Sequence, residues 1–190
     1  MNSLEATTFV IEALEELAVP YMLVGAFSSN AYGIPRATKD ADFVVELAPG
    51  ELSRLAERLG SEYRLDRHTR IETITNSVRN VITYLPTRFD IELFRLSKDE
   101  HHAERFRRRV RRHLGQLRCE AWIPTAEDVL IQKLRWQRRK DLDDVASVLA
   151  VSAKLLDWDY LTHWTKIHGT FDLLNQVRAE CPNLDLIDEQ

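Results

Sequence analysis

Apolar residues in the first half of the chain come in short runs cut by small or helix-breaking residues. Leu4, Phe9, Ile11, Leu14 and Leu17 stand among Glu and Thr at roughly helical spacing, which predicts an amphipathic helix over residues 4 to 17, ended by Pro20. Tyr21 to Val24 read as a buried strand, Gly25 and Ala26 as a tight turn, and residues 27 to 32 as a short helix broken by Gly33 and Pro35. Asp40-Ala41-Asp42 open a second strand that runs to Leu47, and Pro49-Gly50 lead into a helix over 51 to 59 that Gly60 closes. Between 70 and 84, β-branched and polar residues alternate around Asn76-Ser77, the pattern of a hairpin. Residues 89 to 94 alternate cleanly, which sets Asp90 and Glu92 on one face and Phe89, Ile91 and Leu93 on the other.

The second half is patterned mainly for helices. Ala103, Phe106 and Val110 share helical spacing within 99 to 113, predicting one basic-faced helix with His101 and His102 at its surface. Residues 116 to 123 alternate and predict a last short strand. Thr125 reads as the cap of a helix whose capping box Asp128 completes, a structural role, and Lys133 borders the buried face formed by Val129, Leu130 and Leu134. Asp141 reads as a cap for the next helix, with Asp144 completing its box. Asp157 and Thr170 introduce two more helices, over 158 to 167 and 171 to 180, with Trp158, Leu161 and Trp164 as core. The elements add up to an α/β (α+β) chain with a mixed sheet and a helical C-terminal half.

Composition narrows the function. An apolar content of 44% excludes disorder, and a net charge of −4 argues against a generic nucleic-acid binder, though Arg105, Arg107, Arg108, Arg109, Arg111 and Arg112 form a local basic strip. Cys119 and Cys181 lack metal-ligand spacing, and no apolar run is long enough to cross a bilayer, so a soluble, cytoplasmic protein with no membrane partner is expected.

The chemistry concentrates in residues 21 to 46. Strand periodicity puts Asp40 and Asp42 on one face, a natural seat for Mg²⁺, and the helix start before them attracts anions. Alone, a Gly-Ala turn or an Asp-x-Asp pair is more often structural. Together, as Gly25-Ala26-x-Ser28, then Tyr32-Gly33-x-x-Arg36-x-Thr38-x-Asp40-x-Asp42, they resemble the signature of the nucleotidyltransferase superfamily that includes DNA polymerase β, in its toxin-type and minimal bacterial branches. The string from Glu127 to Leu149, with Lys133, Arg138, Lys140-Asp141 and Asp144, resembles a second hallmark of the toxin-type members. The chain departs from the pattern at Ala26, where the family usually has Gly or Ser.

The resemblance implies a catalytic core over residues 1–96 with a mainly helical part, 97–190, packed on it. It further implies transfer of a nucleoside monophosphate from an NTP to a hydroxyl of an RNA 3′ end, as in tRNA, or of a protein. Asp40, Asp42 and Asp90 would be the catalytic carboxylates and would hold Mg²⁺, or Mn²⁺ in its place. Gly25, Ala26, Ser28 and Lys133 would bind the nucleotide. The alternative is a non-catalytic nucleotide-binding member of a toxin–antitoxin or regulatory pair, with an antitoxin as partner.

Overall fold

The computed structural model describes residues 1–66, 68–73 and 77–181. In order the elements are α1 (Ser3–Glu16), β1 (Tyr21–Val24), α2 (Gly25–Asn30), β2 (Asp40–Val45), α3 (Glu51–Leu59), β3 (Tyr63–Leu65), β4 (Arg70–Glu72), β5 (Ser77–Tyr84), β6 (Phe89–Arg95), α4 (Glu100–Arg107), β7 (Val110–Leu114), β8 (Cys119–Ile123), α5 (Ala126–Trp136), α6 (Arg139–Ser152), α7 (Trp158–Ile167) and α8 (Phe171–Glu180). Strands pair in the order β1-β2-β6-β5-β3, with β4 also on β5. The sheet is mixed: β2 and β6 run parallel, and the other pairs of this sheet among the described residues are antiparallel. β4 and β5 confirm the expected hairpin pairing, while its turn at Asn76 lies outside the described residues.

The two faces of the sheet differ because every strand alternates. One face turns Tyr21, Leu23, Ala41, Phe43, Phe89, Ile91 and Leu93 into the main core beneath α1 and α3, joined by Leu114, Leu117, Ala121 and Ile123 of the β7–β8 hairpin. The other face carries the carboxylates at one end, with Val24 directly across from Asp42, and Met22, Val44 and Phe94 at the other; Phe106 of α4 packs with these apolar residues. A separate apolar cluster joins α5, α6, α7 and α8.

The helix expected over 99 to 113 is corrected. α4 ends at Arg107, and residues 110–114 form β7, paired antiparallel with β8 from Val110↔Ile123 to Leu114↔Cys119. Val110 satisfies both the helical spacing from Phe106 and the alternation to Leu114, and pairing with a distant strand decides between them. His101 and His102 are buried, not superficial, because α4 is enclosed on both sides: His101 meets Asp128 of α5 at 3.1 Å and packs on Trp164 and His168, while His102 Nδ1 lies 2.7 Å from the Ser97 hydroxyl. α2 begins at Gly25 rather than Phe27 and ends at Asn30, and β2 stops at Val45. Asp141 does not cap α6; Arg138 is the N-cap, and the Asp141 carboxylate is held by Arg138 and Lys133. Among the described residues no helix is long and apolar enough to cross a membrane.

Candidate active site

The site is built where β1 gives way to α2. Gly25 turns the chain at φ +64°, and a β-carbon there would lie 2.1 Å from Oδ2 of Asp42, so only glycine lets the turn pass the carboxylate. Ser28 and Ser29 donate their hydroxyl hydrogens back to the Gly25 carbonyl, at 2.9 and 3.0 Å, which stiffens the turn. Ala26 and Ser28 are buried with it.

The carboxylates follow from register. Asp40 pairs with Asp90 and Asp42 with Glu92 across the parallel β2–β6 ladder, so all four share the face opposite the main core. Asp40 accepts a hydrogen bond from the Thr38 hydroxyl at 2.8 Å, and Asp90 accepts one from Thr83, its cross-strand partner, at 2.7 Å. Glu92 pairs with Arg79 at 2.7 Å. Burial, with the charges of Asp40 and Glu92 adding to it, pushes the Asp42 carboxyl up to about 7, against the opposing pull of Lys133 and Lys140. The donors are hard oxygens, which suit Mg²⁺ or Mn²⁺, and a divalent cation would relieve the repulsion that raises Asp42. As they stand, no three His, Cys, Asp or Glu side chains among the described residues gather round one point.

Lys133 sits deeper than its place in the sequence suggests. It is 4% exposed and lies between two carboxylates, 2.6 Å from Asp144 and 3.1 Å from Asp141. Asp144 also takes two bonds from Arg36, at 2.6 and 2.8 Å, and Asp141 is bonded by Arg138 at 2.6 Å. The chain Arg36–Asp144–Lys133–Asp141–Arg138 ties the segment before β2 to α5 and α6. Burial acts to raise the Asp144 pKa, but the hydrogen bonds from Arg36 and Lys133 outweigh it and hold the carboxyl below its usual range. Lys133 shares a small cavity with Val24, Gly25, Ser28, Arg105, Gln132 and Trp136. Arg105 and Gln132 are additions that periodicity could not supply, because charged and amide side chains on a helix read as solvated faces.

The basic strip is partly buried and partly open: Arg107, Arg111 and Arg112 are exposed, and each arginine but Arg105 has a neighbour within the chain. Arg105 is buried, Arg107 pairs with Glu104, Arg111 with Glu120 and Glu15, and Arg108, Arg109 and Arg112 lie over the rings of Tyr160, Phe106 and Tyr32.

The sequence matches no family model and no curated protein. Solved structures resemble it over almost its whole length. The solution structure of the antibiotic-resistance factor ANT(2″)-Ia covers 95% of this chain and 100% of its own, with 10% identity and a TM-score of 0.57. The crystal structure of ANT(2″)-Ia in complex with adenylyl-2″-tobramycin covers 87% of this chain and 95% of its own, with 11% identity and a TM-score of 0.59. An antigenic nucleotidyltransferase-like protein from Paracoccidioides brasiliensis covers 92% of this chain and 91% of its own, with 12% identity and a TM-score of 0.51. At these identities the likeness is one of architecture, and the fold of this chain is the nucleotidyltransferase fold.

Proposed function

We propose that the chain is a nucleotidyltransferase that moves a nucleoside monophosphate from an NTP to a hydroxyl acceptor and releases pyrophosphate. The observation that carries this reading is the alignment of Asp40, Asp42 and Asp90 on one sheet face, hard against a turn where only Gly25 leaves room for Asp42. Bound Mg²⁺, or Mn²⁺ in its place, would be held by Asp40, Asp42 and Asp90 and would supply positive charge against the phosphates. The chain's own residues do the rest. Asp90 uses Oδ1 for the Thr83 hydrogen bond, and its second oxygen accepts the proton of the attacking hydroxyl. The backbone N–H groups of Gly25 and Ala26 donate to the phosphate chain, the Ser28 hydroxyl joins them by turning its hydrogen away from the Gly25 carbonyl, and Lys133 offsets the charge of the leaving pyrophosphate.

The acceptor is the least constrained part. The arginines that favoured RNA, Arg105 apart, have neighbours within the chain, while Arg107, Arg111 and Arg112 remain exposed to an acceptor. ANT(2″)-Ia is seen with adenylyl-2″-tobramycin, which places small-molecule hydroxyls beside RNA 3′ ends and protein hydroxyls as acceptors to test. A second reading, a non-catalytic nucleotide-binding member of a toxin–antitoxin or regulatory pair, is favoured by one observation: Lys133 is closed between Asp141 and Asp144. Incubating the protein with each labelled NTP, Mg²⁺ and pooled small polyols, RNA or cell protein decides between them. Covalent label in any pool supports the transferase; nucleotide binding without label in any pool supports the second reading.

A further inference from the structure

α4 and α5 approach each other over the end of β1, and three polar side chains meet there at the cavity that Gly25 and Ser28 also line: Arg105, Gln132 and Lys133. Arg105 is 4% exposed, its Nε is buried without a hydrogen-bond partner, and no carboxylate among the described residues stands within ion-pair distance of it. The charges of Asp128, Asp99 and Glu72 reach it, none of them within ion-pair distance, and the first two are committed elsewhere. Asp128 is bonded by His101, Tyr160 and Thr125, and Asp99 by Arg135 and the backbone of His102. Burial, with the charge of Arg135 adding to it and those of Asp128, Asp99 and Glu72 only partly offsetting it, brings the Arg105 pKa down to about 10. Gln132, equally buried, leaves both its amide oxygen and its amide nitrogen unpartnered.

A buried, unpaired guanidinium is costly, and buried polar groups are normally satisfied, so two neighbouring exceptions facing one cavity call for a ligand. Arginine presents a planar fork that suits phosphate oxygens, and the amide N–H of Gln132 adds a neutral donor. The enclosed space is about 20 Å³, room for one oxygen-sized group and too little for a sugar or a base. We propose that Arg105, with Gln132 beside it, seats a terminal phosphoryl oxygen of a polyphosphate. This deepens the transferase reading and rests on it for the identity of that polyphosphate as the NTP tail. Arg105 is then stored without a partner in the free protein and paired only when the anion enters.

Titrating the full chain with inorganic tripolyphosphate in EDTA, by calorimetry and thermal shift, isolates this seat from the metal carboxylates. Wild type is expected to bind, Arg105→Met to bind at least tenfold more weakly, and Arg105→Lys to fall between. Free Arg105→Met is expected to melt higher than wild type, because an unpaired buried charge has been removed. No binding by wild type, equal binding by Arg105→Met, or a free Arg105→Met that melts lower or fails to fold would each overturn the proposal, the last by making Arg105 a structural residue. The two readings separate cleanly. Tripolyphosphate bound through Arg105 with no NTP turnover keeps the seat and removes the transferase, whereas full NMP transfer by Arg105→Met keeps the transferase and removes the seat.

Discussion

Gly25 and Asp42 occupy the same space up to a single methyl group: a β-carbon on Gly25 would lie 2.1 Å from Oδ2 of Asp42, and the turn has φ +64°. Gly25→Ala therefore combines left-handed strain of about 1–2 kcal/mol with displacement of a carboxylate from its place. We expect a melting temperature several degrees lower and NMP transfer reduced at least tenfold, measured by thermal denaturation and label transfer. Ala26→Ser, which adds a hydroxyl to the turn, should leave the fold intact and transfer undiminished in the same assays.

Asp42→Asn should lose transfer yet gain stability. The folded carboxyl titrates near 7 against an ordinary 3.8, so between those values the folded chain keeps a proton that the unfolded chain has released. Stability in the absence of metal thus falls as pH rises from about 4 to about 7, and the variant lacks this fall. Urea midpoints from pH 4.5 to 8 should show the variant drawing ahead of wild type by about 1–3 kcal/mol at the alkaline end. Parallel curves for the two proteins would contradict the burial of Asp42 and its crowding by Asp40 and Glu92.

Lys133→Ala leaves Asp141 and Asp144 buried with less positive charge between them and should cost about 3–5 kcal/mol. Removing Lys133 and Asp144 together should cost less than the sum of the single changes, because the two act as a unit. A double-mutant cycle by urea denaturation measures this, and additivity would contradict the network. Arg135, on another side of the same helix, bonds Asp99 at 2.8 and 3.0 Å, so Arg135→Ala should also lower stability.

Arg108, Arg109 and Arg112 lie 3.7, 4.2 and 4.9 Å from the centroids of aromatic rings. Replacing all three with Gln should lower the melting temperature through lost ring contacts. Wild-type binding to RNA, measured against salt, should show a shallow slope equivalent to about two phosphates or fewer. A steep slope that the triple variant abolishes would support an RNA acceptor.

Much of the architecture was legible because punctuation marks it. Pro20 and Gly25 bracket β1, Pro49-Gly50 and Gly60 bracket α3, and Asp157 and Thr170 stand immediately before α7 and α8, so these elements have the expected bounds. Strand alternation gives each pair, Asp40 with Asp42 and Asp90 with Glu92, a common face, but that the two strands are neighbours is implied by the resemblance and not by the pattern. What pattern could not give is whatever pairing or burial decides. Val110 fits a helix or a strand until β8 is present, and the burial of Arg105 and Gln132 arises where two helices from separate parts of the chain meet.

The parallel β2–β6 ladder also bears on how the protein folds. Asp40 and Asp90 meet across a connection that contains α3, β3, β4 and β5, whereas β5 reaches β6 through a short turn. Local hairpins close quickly, and long-range parallel pairing must first overcome the entropy of closing the loop. The acidic face is therefore assembled late, when the β5–β6 hairpin docks on β2, and a nascent chain that has not yet emitted β6 carries Asp40 and Asp42 but no site. Mutual repulsion of the carboxylates bears on that docking step, so neutralising Asp90 should speed refolding even where it abolishes chemistry.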